Sequence, residues 1–223
     1  KYYLDNNVYH IWNNKSFSLL YNTSIEASKI EGSCTTNNTF LTMGKLSANG
    51  LTQKGIPDLL KAIYYMKKTG SMKPDFHLIV VGDGDMYPYI QQLVQKLDLG
   101  AEVELIKKAS HDEVLRMIST VKAIVLLSRY EGQSMFITES LSLGKPLILS
   151  DNNGMSDMIV NGENGYSVKT GDHVAGARAI IEIQNMDAEK IALMGKKSRD
   201  LYETNYSCEA VYKQFDSIMQ FKD

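Results

Sequence analysis

The sequence predicts an α/β fold: a single doubly wound domain with about six parallel strands flanked by helices. Three observations carry that expectation. Short, uniformly apolar runs recur along the chain, among them FHLIVV, AIVLL and PLIL, and such runs mark strands buried on both faces. Each run is followed by a stretch with helical apolar spacing, which implies a parallel sheet with helices on either side. Glycine and proline stand at the junctions, where helices start and stop.

The elements follow in order from Thr39. FLTM is a strand ending at Gly44, and IPDLLKAIYYMKK is a helix with Pro57 in its first turn. FHLIVV is a strand closed by Gly82, and MYPYIQQLVQKL is a helix around Pro88. VELI is a strand, and HDEVLRMIS a short helix with acids in its first turn. AIVLLS, the most apolar strand, leads into the helix SMFITESLSL, which Gly144 and Pro146 stop. PLILS is a strand, GMSDMIV a short helix and GYSV a short strand. DHVAGARAIIEIQN, AEKIALMGKKSRDLYETNY and CEAVYKQFDSIMQF complete the chain as amphipathic helices. Residues 1–38 are aromatic and Asn-rich with no sustained period beyond one strand at Phe17–Tyr21, and read as a connector. No internal repeat or low-complexity tract is visible.

Composition narrows the function classes. Of the 223 residues 43% are hydrophobic and 22% charged, with a net charge of −2, as in an ordinary globular domain. That balance argues against a nucleic-acid or anionic-membrane surface spread over the whole molecule, while leaving room for a small basic pocket. The two cysteines, Cys34 and Cys208, have no metal-ligand spacing and read as buried or free thiols. No apolar run is long enough to span a bilayer.

In an open parallel sheet, ligands bind beyond the carboxyl ends of the strands. Gly44, Lys45, Lys54 and Gly55 follow the first strand, GDGD (residues 82–85) the second, and Lys107 and Lys108 the third. Ser128 to Glu131 follow the fourth strand, and Ser150 and Asp151 the fifth. Glycines, lysines and carboxylates on one edge suit a phosphorylated ligand with a polyhydroxyl part. GDG lacks the third glycine of a dinucleotide fingerprint and reads first as a tight turn. Lys45 and Lys54 taken alone read as solvated loop charges. The four histidines are scattered without visible partners, and none is assigned a catalytic role.

The stretch EGQSMFITESLSLGKP carries more. A helix starting near Ser134 leaves the amides of Ser134, Met135 and Phe136 without intrahelical partners, at the positive end of the dipole. That arrangement is an anion site suited to a diphosphate. Glu131 lies just before those amides, and Glu139 lies one turn inside with its side chain leaning back toward them. Carboxylates accept well from vicinal hydroxyls. The residues alone leave this pair open between ligand contact and a bland edge acid.

The ordered motifs resemble the C-terminal, donor-binding domain of retaining glycosyltransferases built from two Rossmann-like domains, the GT-B architecture of family-4 type. EGQSMFITE, with its two glutamates, followed by SLSLGKPLILSD, is the strongest marker. MGKL…QKGIPDLLKA, LIVVGDGD, HDEVLRMIS, AIVLLSRYEG and NNGMSDMIVNGENGYSV support it, over about Leu41 to Tyr206. The resemblance implies that Glu131 contacts the transferred sugar and Glu139 the nucleotide ribose. The segment Gly132, Gln133, Ser134 and Met135 would hold the diphosphate through backbone amides, and Lys45 and Lys54 would neutralise it as the nucleoside diphosphate departs. Neither metal nor other cofactor is expected, since cations and helix amides take the metal's electrostatic role.

This chain departs from the family pattern at Lys45, where arginine is common, in a longer Lys45–Lys54 loop, at Gln133-Ser134 in place of a glycine-rich turn, and at Ile106–Ala109. The expected division is a connector over 1–38, a donor-binding domain over 39–206 and a C-terminal helix over 207–223 that packs on an N-terminal acceptor domain. The chain begins at Lys1, and the expectation is a piece of a longer enzyme, inactive in transfer by itself. That enzyme would be cytoplasmic, with possible peripheral attachment to the inner membrane face, and would use a nucleotide sugar and no nucleic acid. The competing readings are an epimerase or inverting transferase of the same architecture and a non-catalytic nucleotide-binding domain. Neither of the first two needs both Glu131 and Glu139 at this spacing, and a dinucleotide binder needs a glycine fingerprint that MGKLSANG lacks.

Overall fold

The computed structural model of the chain describes residues 20–23, 37–151 and 153–220. Most of the expected connector, Cys34 and residues 17–19 of the expected first strand lie outside them, and Leu20 and Tyr21 belong to no strand. The strands are β1 (Asn38–Met43), β2 (Phe76–Val81), β3 (Val103–Ile106), β4 (Ala123–Leu126), β5 (Leu147–Ser150) and β6 (Gly165–Val168). They form one sheet in the order β3-β2-β1-β4-β5-β6, with every neighbouring pair parallel. The helices are α1 (Ala48–Lys54), α2 (Ile56–Lys68), α3 (Tyr87–Lys96), α4 (His111–Thr120), α5 (Met135–Ser142), α6 (His173–Asn185), α7 (Ala188–Asn205) and α8 (Cys208–Gln220). A 3-10 helix at Asn153–Met158 replaces the short helix expected there.

Alternation along the strands divides the core into two layers. Phe40, Leu78, Val80, Ala123, Val125 and Ile148 face one cluster with residues of α2, α3 and α6. Leu41, Val81, Ile124, Leu126, Leu147 and Leu149 face the other, with residues of α4 and α5 and with Tyr202 and Tyr206. A strand buried on both sides favours apolar residues at nearly every position, which explains the long apolar runs.

Two buried lysines close helix ends on the side of the sheet away from the candidate site. Lys145 donates to the carbonyls of Ser119 and Val121 at the end of α4, at 2.7 and 3.0 Å. Lys122 donates to Gln184 O, Met186 O and Asn38 Oδ1 at the end of α6, and burial pushes its ammonium below the usual lysine value. Both satisfy carbonyls that a helix leaves unpaired. The last helix, α8, packs on α7 and leaves Tyr212, Phe215 and Met219 exposed.

The strand order reverses between β1 and β4. Their ladder pairs Phe40 with Ala123 and Leu41 with Ile124, and the chains leaving the two strands turn to opposite faces of the sheet. A crevice opens at such a switch point, beyond the carboxyl ends of the strands.

Candidate functional site

A cleft of about 630 Å³ fills that crevice. Met43, Gly44 and Lys45 border it from the exit of β1, and Lys54 from the end of α1. Val81 to Asp83 line it beyond β2, and Lys107 to Ala109 beyond β3. Glu131 and Gln133 to Phe136 close it from the segment that follows β4. Four lysines and two carboxylates line the cleft, so it is locally cationic in a chain whose net charge is −2. That contrast favours an anionic ligand.

The segment from β4 to α5 is held from both sides. The Arg129 amide donates to Gln53 O at 2.7 Å, and its guanidinium to Asp58 Oδ2 on α2 at 2.7 Å. The Gly154 amide donates to Glu131 O at 3.3 Å. The Gln133 side chain turns away from a ligand role. Its Oε1 accepts from the Asn22 amide at 2.6 Å and its Nε2 donates to Asn22 O at 2.5 Å, which ties the incoming chain to this loop. The backbone of Gln133, not its amide group, is what remains for the cleft.

Ser134 is the N-cap of α5 and has an extended backbone, yet its hydroxyl makes no cap bond. The amides of Ser134, Met135 and Phe136 have no acceptor among the described residues. These are the three donors the sequence singled out, and all three residues line the cleft. Behind them α5 is buried along almost its whole length. Its hydroxyls are satisfied by its own carbonyls: Thr138 Oγ1 to Ser134 O at 3.2 Å, Ser140 Oγ to Phe136 O at 2.6 Å and Ser142 Oγ to Glu139 O at 2.7 Å. Gly144 ends the helix at φ +62, with its amide on Leu141 O and the Lys145 amide on Ser140 O, both at 3.0 Å. This is a Schellman closure, and it fixes the helix axis that aims the free amides.

Of the expected contact residues, Lys45 is exposed and makes no ion pair among the described residues. Lys54 is not free: its ammonium is paired with Glu131, and both side chains are mostly buried. The two expected ligand contacts therefore hold each other. The expected loop between Lys45 and Lys54 is a short helix, α1, and Lys54 closes it. The Lys54 stem lies over Gly44, where a Cβ would come within 2.9 Å of its Cγ. Gly132 is exposed with open space around its Cα. Glu139 is 8% exposed, is not among the residues that line the cleft, and accepts from or pairs with His111 Nε2 at 2.8 Å.

That last contact corrects the view that the histidines lack partners; His77 also meets a carboxylate, Glu104, at 3.1 Å. His111 stands at the start of α4, where the sequence predicts it, behind a capping box formed by Ser110 and Glu113. Its partner lies 28 residues away, and no local pattern encodes that pairing. Asp83 was also missed as a partner; it lies 3.8 Å from Lys107 and 3.7 Å from Lys108 and holds part of their charge. GDG is the turn it was read as: a Cβ on Gly82 would fall 2.1 Å from Gly44 O, and one on Gly84 2.4 Å from Leu46 O. The glycines let the loops after β1 and β2 touch. Among the described residues no three His, Cys, Asp or Glu side chains gather to hold a metal ion, and no helix is long and apolar enough to cross a membrane.

The pattern of the family described as glycosyl transferases group 1 matches residues 24–201. The chain belongs to this family. It is 28% identical over 144 residues to an N-acetyl-alpha-D-glucosaminyl L-malate synthase of Bacillus anthracis, covering 65% of this chain and 37% of the relative. It is 27% identical over 178 residues to an alpha-D-kanosaminyltransferase of Streptomyces kanamyceticus, covering 80% and 44%. A crystal structure of S. aureus TarM in complex with UDP and alpha-GlcNAc-glycerol superposes with a TM-score of 0.76 at 20% identity, over 96% of this chain and 41% of that one. That match shows the Rossmann-like fold. The chain thus spans less than half the length of each of these relatives.

Proposed function

We propose that this chain is the donor-binding half of a retaining glycosyltransferase, which moves a sugar from a nucleoside-diphosphate sugar to a glycan, lipid-linked or protein acceptor. One observation carries the reading. Three unpaired amides at the start of α5 open onto a cationic cleft at the switch point of the sheet. A diphosphate satisfies the amides and the helix dipole together. The TarM structure contains UDP and is an independent reason to test uridine first.

In this proposal the diphosphate lies against Ser134, Met135 and Phe136, with Lys45 and Lys54 on its other side. Negative charge grows on the diphosphate as its bond to the anomeric carbon breaks. Fixed amides and cations stabilise that charge more than they stabilise the bound donor, and this difference is what accelerates the reaction. No metal or other cofactor is required in this account. Glu131 reaches the hydroxyls of the transferred sugar. An ammonium has three donors, so Lys54 can keep Glu131 in place while it meets a phosphate oxygen. Glu139 accepts from the ribose. The acceptor enters from an N-terminal domain that packs on the exposed face of α8, so the chain alone binds donor and does not transfer it. We place the enzyme in the cytoplasm, at the inner membrane face where the acceptor is lipid-linked.

The test is a thermal-shift panel of UDP, GDP, ADP and CDP sugars. A ligand that binds only the folded chain raises the melting temperature with concentration. One of the four is expected to do so, and Glu139→Ala is expected to reduce the shift. A flat panel contradicts donor binding, an unchanged shift in the variant removes Glu139 from the site, and efficient transfer by the 223-residue chain contradicts its being half an enzyme.

A further inference from the structure

We propose that His111 is a positioning and specificity residue: it fixes the Glu139 carboxylate and, with it, selects a ribose over a 2′-deoxyribose in the bound nucleotide. The inference rests on the nucleotide reading above and deepens it. Glu139 is 8% exposed, and a carboxylate that buried needs a donor. Among the described residues His111 supplies it, with Nε2 at 2.8 Å from Oε1. An ionised carboxylate only accepts, so the proton of this bond sits on Nε2 of the ring.

One consequence follows from that bond. Oε1 is occupied, so the rotamer of Glu139 is set and Oε2 is left for a ligand. The His111 side chain is 63% exposed, whereas that of Glu139 is 10% exposed. The pair joins two helices, α4 and α5, and holds one carboxylate oxygen ready for a ligand. His111 lies two residues beyond Ala109 and Glu139 one turn beyond Met135, and both of those residues line the cleft. The two lone pairs of Oε2, beside a nucleotide cleft, match the two adjacent hydroxyls of a ribose. A 2′-deoxyribose leaves one of them unmatched.

The experiment measures dissociation constants of the 223-residue chain for UDP, GDP, ADP and CDP and for their 2′-deoxy counterparts by calorimetry. For the base that binds best, the wild-type chain is expected to favour the ribo form by about tenfold or more, the worth of one hydrogen bond to a charged group. His111→Ala is expected to cut that preference to about threefold or less while the affinity for the deoxy form changes less than about twofold. His111→Gln, whose Nε2 can donate to Oε1, is expected to restore most of the preference. His111→Asn, too short to reach Oε1, is expected to behave like alanine and replaces it if H111A does not fold. A wild-type preference retained in both short variants overturns the inference and leaves the nucleotide reading intact. So does an equal loss for ribo and deoxy forms, which marks a purely structural histidine, and so does a wild-type chain with no ribo preference. A wild-type chain that binds none of the eight ligands overturns the nucleotide reading itself, and the inference with it.

Discussion

Lys54 is the residue on which the cleft's electrostatics turn. Its ammonium is paired with Glu131 while both lie mostly buried, so each is the other's main compensation for lost water. Lys54→Met removes one of the cations that line the cleft and leaves Glu131 uncompensated. Calorimetry is expected to show about a tenfold or greater loss of affinity for the nucleoside diphosphate, roughly 1.4 kcal/mol or more. Lys61→Met is the matched control. Lys61 is half exposed, pairs with Asp58 at 3.6 Å outside the cleft, and should leave the affinity unchanged. The residue scale is also where the sequence was least legible. Ser134 to Phe136 could be picked out because a helix start is a local pattern, and local patterns survive in one dimension. Lys54 with Glu131, and His111 with Glu139, span 77 and 28 residues and appear only once the strand order is known.

At the scale of elements, strands and helices were legible because each carries its own period and its own stop signal. Helix α2 occupies Ile56–Lys68, the stretch its apolar spacing marks, with Pro57 at its start. Helix α1 was not legible, because Ser47-Ala48-Asn49-Gly50 has the composition of a loop. Its helix forms against the neighbouring chain: the Gly50 amide meets Ser47 Oγ at 3.2 Å, and a Cβ on Gly50 would lie 2.4 Å from Lys45 O. Gly55 joins α1 to α2 at φ +65, and a Cβ there would lie 1.9 Å from Leu127 O. Gly55→Ala combines left-handed strain with a backbone clash and is expected to destabilise the chain by about 2–3 kcal/mol in urea unfolding. Because Gly55 follows Lys54 and touches the exit of β4, the same variant should weaken nucleotide binding. An alanine tolerated within about 0.5 kcal/mol would show that this junction is looser than the structure has it.

At the scale of the whole molecule, two apolar layers hold six strands so that all their carboxyl ends open on one edge, and the cationic cleft sits there. The fold class was legible because a doubly wound sheet writes itself as alternation. The extent of the functional unit was not, because the chain covers less than half of its relatives. Tyr206 gives this scale a pH signature. Burial, then the neighbouring Tyr21 and Asp157, raise its phenol well above the ordinary value of 10.0. A raised folded value means stability that is fully present below pH 10 and is lost as pH rises beyond it. Tyr206→Phe also loses the bond to Asp157 O at 2.9 Å, so it should be less stable by about 1 kcal/mol near neutrality. That deficit should shrink above pH 10, where the wild-type chain alone pays for keeping this phenol neutral. Urea unfolding at several pH values checks this, and a constant gap would contradict it.

The proposed function stands or falls on the free amides at the start of α5 holding the diphosphate. Amide NMR of the isotope-labelled chain, titrated with the nucleoside diphosphate that shifts its melting temperature most, tests it directly. The Ser134, Met135 and Phe136 signals are expected to move together and saturate at the dissociation constant measured by calorimetry. Binding that saturates while those three signals stay in place would contradict it.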